Sequence, residues 1–96
     1  MPPLTPNEAQ ELKKELHEDW MVIDSGRLLA RTYETKDFAE AMELANKIGV
    51  IAEEEGHHPD LTVSYGSLGV ELTTHSIGGL SENDFILAAK IDEIKN

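Results

Sequence analysis

Three of the four histidines, His57, His58 and His75, stand in one short stretch of a chain that has no cysteine and a single tryptophan. Imidazole gives or takes a proton near neutral pH, because its unperturbed pKa is about 6.5. The cluster therefore points to proton transfer or metal binding. His57 and His58 follow Gly56 and precede Pro59, which holds His58 extended. Neighbours in an extended chain point to opposite sides, and the spacing that stacks two ligands on one helix face is missing, so a shared metal ion is disfavoured. Three imidazoles around one pocket suit general acid–base work on a small molecule. The plain alternative is a pair of solvated loop histidines.

The elements that must position these residues are legible from caps and periodicity. Thr5-Pro6-Asn7-Glu8 announces a first helix, with Thr5 as N-cap, Pro6 at the first position and Glu8 closing a capping box. That helix is expected to reach about His17, whose charge suits a helix C-terminus. Trp20 to Asp24 and Arg27 to Tyr33 read as strands joined by a Ser25-Gly26 turn. Thr35 is expected to cap a long second helix, its buried stripe being Phe38, Ala41, Met42, Ala45, Ile48 and Ala52, and Gly56 ends it. Leu44, Val50 and Ile51 fall off that stripe, an apolar excess that partner burial would explain.

Leu61, Val63 and Tyr65 alternate with Thr62 and Ser64, and a Gly66-Ser67 turn leads into Leu68 to Thr74. Val70, Leu72 and Thr74 then share one face, and Glu71, Thr73 and His75 the other. With Leu61 opposite Leu72, His58 and His75 approach each other at the open end of the hairpin. Ser81 caps a third helix that buries Phe85, Ala88, Ile91 and Ile94. The order α-β-β-α-β-β-α belongs to the α+β class, a four-stranded antiparallel sheet covered by helices on one face.

Composition narrows the functions. Ninety-six residues make one domain. Eight basic against nineteen acidic residues, a net charge of −11, disfavour direct binding to nucleic acid, which draws its affinity from Lys and Arg. The absence of cysteine removes disulfides, a thiolate nucleophile and cysteine zinc sites. No apolar run is long enough for a membrane span, and Met1-Pro2-Pro3 has neither the basic segment nor the apolar core of a secretion signal. The expectation is a soluble, cytoplasmic protein.

The spacing of Glu53, His57-His58-Pro59, Tyr65, His75 and Asp84 resembles the signature of the pterin-4a-carbinolamine dehydratases, matched here at every position. The resemblance covers nearly the whole chain, including Trp20, Lys36-Asp37-Phe38 and Gly79-Leu80-Ser81, so residues 1–96 read as one such domain. It implies dehydration of a 4a-hydroxytetrahydropterin to the quinonoid dihydropterin, recycling the cofactor of aromatic amino acid hydroxylases, with neither metal nor cofactor. By the same resemblance His57 and His75 exchange protons, His58 binds and orients the pterin, and Asp84 sits beside them to orient an imidazole.

Glu53, Pro59, Tyr65 and Trp20 are the expected substrate-binding residues, although three of them also have a structural reading: Glu53 in an acidic run, Tyr65 as core or pocket wall, and Trp20 as a packing residue where it is not a ring platform. Asp84 also reads as a capping-box residue to Ser81. Family assembly implies a homodimer with sheets joined edge to edge, or a homotetramer through the second helix. Two alternatives remain: an assembly or regulatory module, as in animal members that act as dimerisation cofactors of a homeodomain transcription factor, or a role in molybdopterin-type cofactor metabolism.

Overall fold

A computed structural model describes residues 2–94. Thr5 accepts from the Glu8 N–H at 3.2 Å while Glu8 accepts from the Thr5 N–H at 2.8 Å, the capping box that opens α1, Pro6–Lys13. This helix stops short of the expected His17. From Lys14 to Leu16 the amides reach back three residues instead of four, and the His17 N–H bonds Asp92 Oδ2 at 2.9 Å. That donor is committed to a distant carboxylate and is lost to the helix.

The first hairpin pairs β1, Met21–Ile23, with β2, Leu28–Glu34. Its connection is wider than the expected Ser25-Gly26: Asp24, Ser25 and Gly26 all have positive φ. At Gly26 (φ +88) a Cβ would lie 3.0 Å from the Pro6 side chain, so the turn packs backbone against the start of α1.

Helix α2, Phe38–Glu55, is capped by Asp37, not Thr35. The Asp37 carboxylate accepts from the Glu40 N–H at 2.8 Å, and the Thr35 hydroxyl is spent on the Asp37 carbonyl at 3.1 Å. Its buried stripe is Ala41, Leu44, Ala45, Ile48 and Ala52. Leu44 thus joins the core, while Phe38 and Met42, expected inside, are 48% and 40% exposed. Positions i, i+3, i+4, i+7 and i+11 centre the seam so that Phe38 and Met42 fall on its flank. Gly56, at φ +64, ends the helix as expected.

Strands β3, Asp60–Ser64, and β4, Ser67–Leu72, form the second hairpin. Ser64 pairs with Ser67, so the two-residue loop is Tyr65-Gly66, with the glycine second at φ +85. Leu61 accordingly faces Val70 and not Leu72. A shift of two residues preserves side-chain parity, which is why the expected core face survives the change in register. The sheet order is β1-β2-β4-β3, antiparallel throughout.

Leu29, Leu68, Val70 and Leu72 pack on one face with Leu44 and Ile48 of α2 and with Phe85, Ala88 and Ile91 of α3, Glu82–Asp92. Met21, Thr32, Thr62 and Glu71, of opposite parity, are exposed. The helices therefore cover one face, and the fold is α+β as read from the sequence.

Candidate active site

His57 is aimed by the end of α2. Its N–H bonds the Ala52 carbonyl at 3.2 Å and the Gly56 N–H bonds that of Glu53 at 3.3 Å. This is the paired closure that a left-handed glycine allows, and it turns the chain sharply off the helix. The His57 side chain, 19% exposed, meets Asp84 with Nε2 2.5 Å from Oδ1. Asp84 lies in the first turn of α3 and is fully buried.

A carboxylate taken out of water needs donors, and Asp84 has them. Its Oδ2 accepts from the Ser81 N–H at 2.9 Å and from the Thr74 hydroxyl at 2.8 Å. Thr74 Oγ1 in turn lies 2.7 Å from Ser81 Oγ. Thr74 is placed by a reciprocal backbone bridge to Gly79, with N···O distances of 2.9 and 3.4 Å. Gly79 has no room for a side chain, since a Cβ there would stand 2.8 Å from that of Pro3. The capping-box and active-site readings of Asp84 are thus compatible: one oxygen serves the helix start and Thr74, the other serves the imidazole.

His58 has a different partner, its Nε2 pairing with the Glu53 carboxylate at the last turn of α2. Both side chains are largely exposed, at 61% and 76%, so the pair adds little to stability. Glu55 pairs with Lys90 Nζ at 2.5 Å, and this hydrogen bond raises the Lys90 pKa. Two members of the acidic run Glu53-Glu54-Glu55 thus have cationic or protonatable partners that offset their unfavourable place at a helix C-terminus.

His75 opens a single 3₁₀ turn, His75–Ile77, and is exposed. It follows Thr74 directly, so the link between the two histidine segments runs through His57, Asp84 and Thr74. The register from which an approach of His58 to His75 is expected is not the one formed, since Leu61 faces Val70. Pro59 is half-buried at the entrance to β3.

Two expected substrate-binding residues lie elsewhere. Tyr65 sits in the β3–β4 loop, 78% exposed, at the far end of a five-residue strand that spans about 17 Å. Trp20 has no exposed surface, and its indole N–H bonds Asp92 Oδ1 at 2.7 Å. Asp92 ends α3, eight residues or about 12 Å from Asp84. The same Asp92 oxygen takes Arg31 Nη1 at 2.8 Å.

Thr74 is the residue that sequence reasoning passed over. Its inward parity beside Val70 and Leu72 was the available signal, since an inward hydroxyl needs a partner. A concavity of about 730 Å³ lies at the β1–β2 edge, lined by Asp19, Met21, Arg31 and Glu34 among others and by none of the histidines. Among the described residues, no three His, Asp or Glu side chains are grouped closely enough to hold a metal ion. The arrangement offers one imidazole locked on a buried carboxylate beside two exposed ones. That is equipment for giving and taking protons.

Residues 2–94 match the profile of the family described as Pterin 4 alpha carbinolamine dehydratase. The chain belongs to that family. In the pterin carbinolamine dehydratase family, a relative from Rickettsia bellii is 51% identical over 96 residues, which is 100% of this chain and 84% of the relative. Another from Alkaliphilus metalliredigens is 47% identical over 92 residues, 96% of this chain and 82% of the relative. Both bear the name "Putative pterin-4-alpha-carbinolamine dehydratase".

The crystal structure of a transcriptional coactivator/pterin dehydratase from Brucella melitensis superposes with a TM-score of 0.83 at 31% identity, covering 93% of this chain and 94% of that one. A pterin dehydratase-like protein identified as a RuBisCO assembly factor in the alpha-carboxysome shares the fold at a TM-score of 0.65 and 18% identity, covering 79% and 88%.

Proposed function

We propose that this chain is a hydro-lyase that dehydrates a 4a-hydroxytetrahydropterin to the quinonoid dihydropterin by histidine acid–base catalysis. The reaction breaks the C4a–O bond. The leaving oxygen takes a proton from an imidazolium and departs as water, while the ring nitrogen gives its proton to a neutral imidazole. Atoms and charge balance without metal, redox partner or cofactor.

The observation that carries this reading is the His57–Asp84 couple within a family whose pattern the chain matches throughout. A buried carboxylate holding one imidazole nitrogen leaves the other poised to exchange a proton. In this reading His57 and His75 move the protons, His58 orients the pterin and Glu53 steadies His58. Trp20, having no exposed face, supports the fold and not the ring. The 96 residues act as one unit in a cytoplasmic homo-oligomer that recycles the pterin cofactor of an aromatic amino acid hydroxylase.

The test adds purified protein to enzymatically generated 4a-hydroxytetrahydropterin and follows dehydration by ultraviolet absorbance. Acceleration over the spontaneous rate is expected, falling at least about tenfold in His57→Ala or His75→Ala. A wild-type protein that leaves the spontaneous rate unchanged overturns the reading.

A further inference from the structure

We propose that Thr74 is a positioning residue for His57: its hydroxyl, itself held by Ser81, fixes Asp84 so that His57 keeps a proton on Nε2 and presents Nδ1 to the reacting molecule. The catalytic consequence rests on the dehydratase reading; the tautomer does not.

The direction of each hydrogen bond follows from proton counting. An ionised carboxylate only accepts, and a hydroxyl has one proton to donate. At 2.8 Å from Asp84 Oδ2, Thr74 spends its proton there. The 2.7 Å contact to Ser81 must then be filled by the serine proton, with Thr74 accepting. The chain runs Ser81 O–H to Thr74 Oγ1, Thr74 O–H to Asp84 Oδ2, and, from the other oxygen, Asp84 Oδ1 to His57 Nε2–H. Every rotor in it has one allowed setting. Such chains polarise their members in the same direction, and a half-satisfied one loses its orientation.

The backbone makes Thr74 suited to the task. Its bridge to Gly79 and the bond from the Ile77 N–H to its carbonyl at 3.1 Å fix the Cα independently of the side chain. The residue stands between two imidazoles, joined to His75 by the peptide bond and to His57 through Asp84. Without its hydroxyl, Asp84 Oδ2 keeps only the Ser81 N–H, and the carboxylate is free to turn away from the imidazole.

The experiment compares wild type, Thr74→Val and Thr74→Ser in three measurements: the ¹⁵N shifts of the His57 ring, the kcat and KM for 4a-hydroxytetrahydropterin, and the melting temperature. Thr74→Val is expected to lose the Nε2–H tautomer and to lower kcat about ten- to a hundredfold, the scale of a small misplacement at a reacting centre. KM is expected to move less than kcat, as for a residue that acts through Asp84 on His57. Thr74→Ser restores the tautomer and most of kcat.

A residue that only packs would lower the melting temperature and leave the tautomer alone. That result, or a Thr74→Val protein with wild-type tautomer and kcat, overturns the proposal. If Thr74→Val does not fold, Thr74→Ala carries the same readout, since it removes the same hydroxyl with a smaller side chain and retains the Ser81 N–H bond to Asp84. If the wild type does not dehydrate the pterin, the proposed function fails and the ring shifts alone decide the role of Thr74.

Discussion

Asp84 Oδ1 receives His57 Nε2 at 2.5 Å, a bond that ties the residue just beyond the end of α2 to the first turn of α3. Asp84→Asn keeps the shape of that contact and reverses its chemistry. With Thr74 O–H and Ser81 N–H both needing an acceptor, the amide oxygen must face them, which turns the NH₂ toward His57. Nε2 then becomes an acceptor and the ring proton moves to Nδ1. We expect kcat to fall by about 10²–10⁴, the range of a lost acid–base group, with a smaller change in KM. Stopped-flow absorbance measures it, and a kcat within a factor of about three of wild type would show that the tautomer is immaterial.

His58 and Glu53 are both largely exposed, so His58→Ala isolates binding from folding. The melting temperature should stay within about 2 °C of wild type, as expected for an exposed ion pair. The assigned orienting role predicts a KM raised several-fold at a kcat lowered less than in His57→Ala. Equal kcat losses in the two variants would move His58 from binding into proton transfer.

Some of this was readable from the sequence because it is decided locally. Thr5 with Glu8, and Gly56 after a helix, follow from which backbone groups a helix end leaves unpaired and which residue tolerates positive φ. Thr35 and Asp37 are both good caps, and only the packed structure shows the hydroxyl taken by a carbonyl while the carboxylate reaches Glu40. Periodicity gives the width of an apolar stripe but not its centre, hence the exchange of Phe38 and Met42 for Leu44.

At the site, spacing selected His57 and Asp84 but carried no direction for a side chain. Tyr65 and Trp20 share the family pattern yet stand away from the cluster. Thr74 acts through a residue ten positions on, and Arg31, on the covered face, finds Asp92 sixty-one positions away. Neither partner can be read from a local window.

Tyr33 supplies a pH prediction. Burial is the main cause that pushes its pKa from 10.0 up to about 12, against the lowering effect of Arg31, whose guanidinium lies 4.1 Å from the ring centroid. The neutral phenol is therefore favoured in the folded state relative to the unfolded one. Its contribution to stability is fully present below pH 10.0 and is lost as pH rises toward about 12. The Tyr33 hydroxyl is buried with no hydrogen-bond partner among the described residues, so Tyr33→Phe forfeits no bond. We expect that variant to match or exceed wild-type stability at pH 7 and to lose the alkaline component of destabilisation in denaturant melts. A variant as alkali-sensitive as wild type would place the cause elsewhere.

Asp92 and Trp20 test the division between scaffold and site. Asp92 takes the Trp20 indole N–H, Arg31 Nη1 and the His17 N–H, with Arg31 only 12% exposed. Asp92→Ala leaves that guanidinium only the more distant Asp19 carboxylate, at 3.9 Å, and should cost about 3 kcal/mol, the lower end of the scale for breaking a buried ion pair from one side. Trp20→Phe keeps the aromatic volume approximately and removes one donor, for an expected loss of about 1–3 kcal/mol. Denaturant titration followed by circular dichroism reads both, since the only tryptophan is among the residues changed. Because Trp20 lies at the opposite end of α3 from Asp84, Trp20→Phe should retain the wild-type KM for the pterin while losing stability. A KM raised about tenfold in a protein that still melts cooperatively would mean instead that the indole contacts the ring, since about 1.4 kcal/mol of binding would have gone with it.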